Sequence, residues 1–196
     1  MKGSIMNTKT MLVLTIAALA ACSGDHGGKL ASDKGIPNGL IVREITGEPI
    51  SVIDLVTTKG NGDQVIVLGR IGGRAEPFAK NRAMFQLIDD SLESCIDLGD
   101  DRCPTPQDYC CTPPETIEES SVTVQVLGTN DKPLPMGLEG LDGLESLSTL
   151  IISGSVSKSD DGSTMITAER IMVAKPAPRP GSGGSDHDHD HDHDHG

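Results

Sequence analysis

The sequence is poor in aromatic residues and in positive charge. Its 196 residues include two Phe, one Tyr and no Trp, and 16 Lys and Arg stand against 29 Asp and Glu, which gives a net charge of −13. A core with so few aromatic rings must be filled by Val, Ile and Leu, and β-branched side chains favour strands. The negative charge repels the phosphates of nucleic acids and the surfaces of anionic lipids. We therefore expect one small, mostly β domain, and the negative charge disfavours nucleic acid as a partner.

The chain also lacks two common catalytic elements. Residues 40–173 contain no histidine, so no imidazole of that region can act as a general base. The glycine-rich segment at residues 69–73 is not followed by the Lys and Ser or Thr of a phosphate-binding loop. Carboxylates cluster at Asp89, Asp90 and Glu93, where such residues normally form a solvated turn or a helix cap. The sequence therefore predicts a protein without enzymatic activity.

The N-terminal segment has the pattern of an export signal. Residues 1–21 have a short basic start, an apolar stretch and small residues before Cys22, and the apolar stretch is short for a membrane span. The Leu-Ala-Ala-Cys junction resembles a bacterial lipobox, which implies that Cys22 is lipidated. The following Ser23 is not the Asp of inner-membrane lipoproteins. We predict a lipid-anchored protein of the bacterial cell envelope, on the outer membrane and facing the periplasm; the alternative is an ordinary signal peptide with an incidental cysteine.

Composition divides the rest of the chain into a tether, a domain and a tail. Residues 22–39 have few large apolar side chains and are predicted to be a flexible tether. Residues 40–174 carry the apolar segments of the domain, and residues 175–196 form a Pro- and Gly-containing linker and a His/Asp-repeat tail, predicted to be disordered. Residues 50–56 fit either a strand or a short helix, of which we favour the helix.

Alternating apolar residues between turn signals predict the strands of the domain. Glycines at positions 69 and 154 interrupt two of these segments, as expected where a small barrel bends sharply. A short partner strand is expected at residues 134–138. The leucines that follow recur every three residues, but the glycines among them favour a loose turn over a helix. The five main strands are predicted at residues 64–72, 83–89, 121–127, 149–156 and 163–173.

The order of these strands resembles an OB-fold of the anticodon-binding or helicase type. That type has a V-x-V-x-G-x-V strand and then a strand ending in F-x-L-x-D, to which residues 64–72 and 85–89 are similar. Residues 103–111 resemble the Cys-x-Thr-Pro-x-Asp-Tyr-Cys-Cys motif of a family of uncharacterised bacterial lipoproteins. The resemblance implies an all-β fold with minor α content: a five-stranded Greek-key barrel with a disulfide-rich loop between its second and third strands. It implies no particular activity.

Four cysteines lie close together in this loop: Cys95, Cys103, Cys110 and Cys111. They could form two disulfides or one tetrathiolate metal site, and an exported protein favours the disulfides. A bond between the neighbours Cys110 and Cys111 would need a strained ring. Two pairings remain open, Cys95 with Cys110 and Cys103 with Cys111, or Cys95 with Cys111 and Cys103 with Cys110. A zinc site is the alternative, although the usual Cys-x-x-Cys unit is missing, and a redox-active vicinal pair is a third.

The C-terminal tail alternates histidine with aspartate. Neutral imidazoles bind Zn, Ni, Cu and Co, and carboxylates add charge and further contacts. The repeat is similar to His/Asp runs in periplasmic zinc-uptake proteins; a purification tag or a solubilising acidic tail would also explain it. We predict that the tail binds Zn or Ni and that the protein requires no cofactor. The predicted ligands are His187, His189, His191, His193, His195, Asp188, Asp190, Asp192 and Asp194.

These observations combine into one functional expectation with two alternatives. We expect a non-catalytic OB-fold binding or scaffold module whose tail binds divalent transition metals, with the membrane, the metal ions and an unidentified protein as partners. The first alternative is a dedicated periplasmic metal scavenger or metallochaperone. The second is binding of nucleic acid or oligosaccharide by the barrel. Nucleic acid is disfavoured because OB barrels bind it with aromatic platforms and a basic groove, and the sequence supplies neither.

Overall fold

Five strands of this chain close into a barrel. The computed structural model describes residues 35–99 and 102–178. A two-residue strand and a helix precede the barrel, and a 3₁₀ turn at Pro106–Asp108 and a second helix lie in its longest loop. The elements are β1 (Ile50–Ser51), α1 (Val52–Thr58), β2 (Gln64–Ile71), β3 (Met84–Ile88), α2 (Pro114–Glu119), β4 (Ser121–Gln125), β5 (Thr149–Lys158) and β6 (Thr164–Lys175).

The strand order defines the type of barrel. The sheet runs β1-β2-β3-β4-β6-β5, and an additional antiparallel pairing of β2 with β5 closes the ring. Within the ring β4 and β6 are parallel, and the other neighbours are antiparallel. This is the order of the OB-fold, a five-stranded Greek-key barrel. The predicted fold class, mostly sheet with few helices and an OB-like closed barrel, is therefore confirmed.

The barrel interior is filled by aliphatic side chains, as the composition predicted. Phe85 is 2% exposed and contacts the Phe78 ring at a centroid distance of 5.8 Å. The predicted role of the mid-strand glycines is confirmed. A Cβ at Gly69 would lie 2.8 Å from the Ile88 carbonyl oxygen, and one at Gly154 would collide with the backbone of Thr167. Gly154 also adjoins a register shift between β5 and β6, so the barrel bends where no side chain is present.

Helix α1 is held against the barrel by polar caps and an apolar face. Ser51 is the N-cap, and its hydroxyl accepts a hydrogen bond from the Asp54 amide. The amide of Ile53 donates to the Asp89 carboxylate at 2.9 Å, so the end of β3 also caps this helix. Val52 and Leu55 are fully buried. The prediction of a helix here is confirmed, and of the three carboxylates expected to form a solvated turn or a cap, Asp89 caps the helix and is buried.

Two local predictions differ from the structure. The segment at residues 134–138 is not a strand: it makes single backbone hydrogen bonds to Val126 and Ala83, because the prolines at 133 and 135 cannot donate to a longer ladder. Helix α2 was not predicted. Its signal is Pro114 at a first-turn position followed by Glu115, a pattern typical of helix starts.

Several predicted segments lie outside the described residues. These are the signal peptide at residues 1–21, the lipidation site Cys22, most of the tether and the whole His/Asp tail. The packed part of the chain begins at Ile36, which is 7% exposed and belongs to the core, slightly before the predicted boundary at Leu40. Within residues 35–99 and 102–178, no helix has both the length and the apolar character needed to cross a membrane.

Candidate metal centre

The first half of the loop between β3 and β4 is fixed by one carboxylate. Asp97 accepts hydrogen bonds from the Ser94 amide at 2.8 Å and from the Ser94 hydroxyl at 2.7 Å. It also forms an ion pair with Arg70, a largely buried side chain of β2. Burial alone would raise the pKa of Asp97, but the hydrogen bonds from Arg70 and Ser94 outweigh it and lower that pKa. This arrangement positions Cys95, which lies between Ser94 and Asp97 and is 1% exposed.

The second half of the loop is fixed by Tyr109. Its side chain is fully buried in a small cluster with Ile88 and Leu147, and its backbone is left-handed with φ 57°. A Cβ at Gly72 would lie 2.8 Å from the Tyr109 ring, so that glycine makes room for the aromatic ring. Burial raises the pKa of Tyr109 to about 12. The buried ring places its sequence neighbours, Asp108 and Cys110, on the accessible side of the loop.

The Asp108 carboxylate is held by its own loop. The Thr105 hydroxyl donates to Asp108 Oδ2 at 2.7 Å, and the Cys110 amide donates to Oδ1 at 3.0 Å. Each carboxylate oxygen can accept a further contact because it has a second lone pair. Hydrogen bonds of this kind orient metal ligands in proteins. Asp108 is therefore already oriented for a cation.

Three cysteines and this aspartate converge. Cys110 Sγ lies 3.3 Å from Cys95 Sγ and 3.8 Å from Cys103 Sγ. One ligand atom from each of Cys95, Cys103, Asp108 and Cys110 lies within 4.8 Å of all the others. Two ligands each about 2.3 Å from a tetrahedral zinc are about 3.8 Å apart. The four groups are therefore close enough to share one ion as an S₃O ligand set, and Cys/Asp sets of this kind suit zinc or a softer ion.

The sequence did not distinguish among the four cysteines and did not identify Asp108. Cys111 Sγ lies 4.0 Å from Cys110 Sγ but is not one of the four converging ligands. Asp108 could have been recognised from its place two residues before Cys110 within the same motif. The four thiols are free in this structure, and the two disulfides predicted from the sequence stay a prediction.

Cys110 is the central thiol of this group. Its pKa is raised, first by its hydrogen bond with Cys95 and then by its hydrogen bond with Cys103. A metal ion bound here would displace a proton from Cys110, because only a thiolate coordinates the ion. Cys110 is exposed, whereas Cys95 is buried. The site accordingly has one accessible side from which an ion can enter.

A second polar site lies on the β3–β4 face of the barrel. A cavity of about 320 Å³ opens there between the β2–β3 connection and the β5–β6 turn. On its floor the Arg74 guanidinium donates to Gln86 Oε1 at 2.8 Å, and Gln86 Nε2 donates to the Ser121 hydroxyl at 2.6 Å. Thr123 and Asp161 also line it. Two other basic side chains of this region form ion pairs, Arg70 with Asp97 and Lys80 with Glu76.

No protein-family model and no curated protein matches the sequence. Among solved structures, the aspartyl-tRNA synthetase from Entamoeba histolytica is similar at 10% identity and a TM-score of 0.38. The match covers 86% of this chain and 30% of that chain, so this chain spans about a third of the synthetase. The assignment of an OB-like fold accordingly rests on the strand order of the barrel.

Proposed function

We propose that this protein is a non-catalytic metal-binding module of the bacterial cell envelope, anchored by a lipid on Cys22. Its OB-like barrel presents the β3–β4 loop, which binds one divalent transition-metal ion, zinc in the first instance. The ligands are Cys95, Cys103, Asp108 and Cys110. The observation that carries the proposal is the convergence of these four ligand atoms within 4.8 Å.

The loop is built to keep that geometry. Cys95 is fixed through the Arg70–Asp97 ion pair to a barrel strand, and Cys110 follows the buried Tyr109. Two ligands are therefore tied to the rigid barrel, and a metal ion does not have to order the whole loop on binding. Pre-organisation of this kind lowers the entropic cost of binding.

The His/Asp tail supplies a second, weaker site in this proposal. Its ligands are imidazoles and carboxylates, which bind Zn and Ni without the thiolates of the loop. Affinity of the tail should fall as the pH drops below about 6.5, where the imidazoles become protonated. The loop site and the tail can therefore be separated by substitution, truncation and pH.

Calorimetric titration of zinc into reduced protein, under anaerobic conditions, tests the proposal. Cys110→Ser should remove the tighter binding event, and Cys111→Ser, the matched control one residue away, should retain it. Truncation after Pro180 should remove only the weaker event. If truncation alone abolished all zinc binding, the protein would be a tail-based scavenger. If neither the full-length nor the truncated protein bound zinc, metal binding would be refuted and only the scaffold function would remain.

A second candidate function is binding of a neutral oligosaccharide by the barrel. It is favoured by the cavity of about 320 Å³ on the β3–β4 face, the face with which OB-folds bind oligonucleotides and oligosaccharides. The net charge of −13 disfavours the oligonucleotide. Chemical-shift changes of a ¹⁵N-labelled sample on addition of neutral oligosaccharides would test it. Thr123→Trp should fill the cavity and abolish the shifts, whereas Ser157→Trp on an exposed part of β5 should not.

A further inference from the structure

Cys110 has three sulfur neighbours at short distance. The distances from its Sγ are 3.3 Å to Cys95, 3.8 Å to Cys103 and 4.0 Å to Cys111. A metal ion requires Cys110 as a thiolate, whereas a disulfide removes that thiolate. The two bonding states of this sulfur therefore exclude each other. Whichever state Cys110 adopts decides whether the S₃O site exists.

We propose that the loop is a redox-gated metal site that holds its ion when reduced and releases it when Cys95 and Cys110 form a disulfide. This inference rests on the proposed metal-binding function and adds its regulation. An exported protein meets disulfide oxidants in its compartment. The same loop can therefore form one of the disulfides considered from the sequence, Cys95–Cys110, and, with its thiols free, the four-ligand cluster.

The exchange is balanced with a disulfide as the oxidant. The Cys110 thiolate attacks a sulfur of the external disulfide, which releases one thiolate and leaves a mixed disulfide on Cys110. The Cys95 thiolate then attacks the Cys110 sulfur, forms the internal disulfide and expels the second thiolate. The two expelled thiolates take up two protons from water. The internal pair loses two electrons, the external disulfide gains them, and the metal ion leaves as a divalent cation.

Burial favours this order of attack. Cys110 is exposed and can meet an external disulfide, whereas Cys95 is 1% exposed and can react only with a partner inside the loop. Cys95 is also the sulfur nearest to Cys110. After oxidation, Cys103 and Asp108 remain as two ligands. Two ligands do not make the four-coordinate shell that zinc requires.

Cobalt tests the proposal in the full-length protein. Thiolate-to-cobalt charge-transfer absorption distinguishes binding by cysteines from binding by the tail, because the tail has no sulfur, and Cys22→Ser removes the one cysteine outside the loop. Reduced protein loaded with one equivalent of Co²⁺ is titrated anaerobically with oxidised glutathione, and the disulfides are mapped by non-reducing peptide mass spectrometry. We expect the absorption to disappear in step with formation of one Cys95–Cys110 disulfide per chain, and a dithiol reductant to restore it. Cys111→Ser should behave like the wild type.

The outcomes separate this inference from the proposed function. If absorption persists after Cys95 and Cys110 are linked, or if it is lost while a different pair of cysteines is linked, the proposed Cys95–Cys110 gate is refuted and the metal site stands. If the reduced protein shows no thiolate-to-cobalt absorption at all, the metal site is refuted and the gate with it.

Discussion

Tyr109→Phe should make this protein more stable, although it alters a fully buried side chain. The Tyr109 hydroxyl has no hydrogen-bond partner among the described residues, and the residue is 0% exposed. A buried hydroxyl that loses its bonds to water without gaining another costs about 1–3 kcal/mol. Phenylalanine keeps the ring that packs on Ile88 and Leu147. We therefore expect the free energy of unfolding to rise by about 1 kcal/mol at neutral pH.

The difference should widen at alkaline pH. Burial raises the pKa of Tyr109 from about 10 to about 12, so the folded state retains a proton that the unfolded state loses. The associated stability is fully present below pH 10 and is lost as the pH rises towards 12. A pKa difference of about 2 corresponds to roughly 3 kcal/mol at most. The phenylalanine side chain of the variant cannot ionise, so the variant does not lose this stability as the pH rises.

Urea denaturation of reduced, metal-free protein at pH 7 and pH 10.5 measures both effects. Far-UV circular dichroism is the appropriate signal, because the protein has no Trp and the variant removes its one Tyr. Thr164→Val removes another buried hydroxyl without a partner in the described region and should shift stability in the same direction at both pH values. If Tyr109→Phe lowered the free energy of unfolding by about 1 kcal/mol or more at pH 7, the prediction would be wrong, because the hydroxyl would then have to be hydrogen-bonded.

Two further substitutions test how the barrel is held. Asp89→Ala should cost about 1–2 kcal/mol by urea denaturation, because the Ile53 amide loses its acceptor. Burial alone would raise the pKa of Asp89, but the hydrogen bonds from Ser91 and Ile53 outweigh it and lower that pKa. The stability that the ionised carboxylate contributes is therefore present above about pH 4 and is lost as the pH falls through the folded-state pKa. An unchanged acid-unfolding midpoint in the variant would contradict this. Gly154→Ala should cost about 2 kcal/mol or more, since its Cβ meets the Thr167 backbone; a thermal melt like that of the wild type would contradict it.

The barrel could be predicted from the sequence because its signal is local. Alternating apolar residues locate β2 and β4, and Gly154 marks a bend in β5 that needs no knowledge of its neighbour. Helix α2 was not predicted because the prolines at its start were interpreted as part of the loop. The prediction of a strand at residues 134–138 was wrong because it gave too little weight to Pro133 and Pro135, which cannot donate to a longer ladder. The local sequence pattern therefore predicted the main strands but not the structure of the segments that connect them.

The candidate site could be predicted only in part. The spacing of the cysteines showed that they would be close, but it did not show that Cys110 would be central and Cys111 peripheral. Those positions depend on Tyr109, whose left-handed backbone and burial orient the residues on either side of it. The position of Asp108 two residues before Cys110 made it a possible ligand, but only the fold shows that its carboxylate lies beside the sulfurs. The types of ligand in the loop could thus be predicted from the sequence, whereas their relative positions could be known only from the structure.

Zinc K-edge X-ray absorption spectroscopy of reduced, full-length protein loaded with one equivalent of zinc identifies the ligands of the proposed loop site. If Cys95, Cys103, Asp108 and Cys110 hold the ion, the spectrum should fit about three sulfur ligands near 2.3 Å and one oxygen near 2.0–2.2 Å, and Cys110→Ser should remove sulfur from the shell. A wild-type shell made only of nitrogen and oxygen would place the zinc on the His/Asp tail and contradict the account.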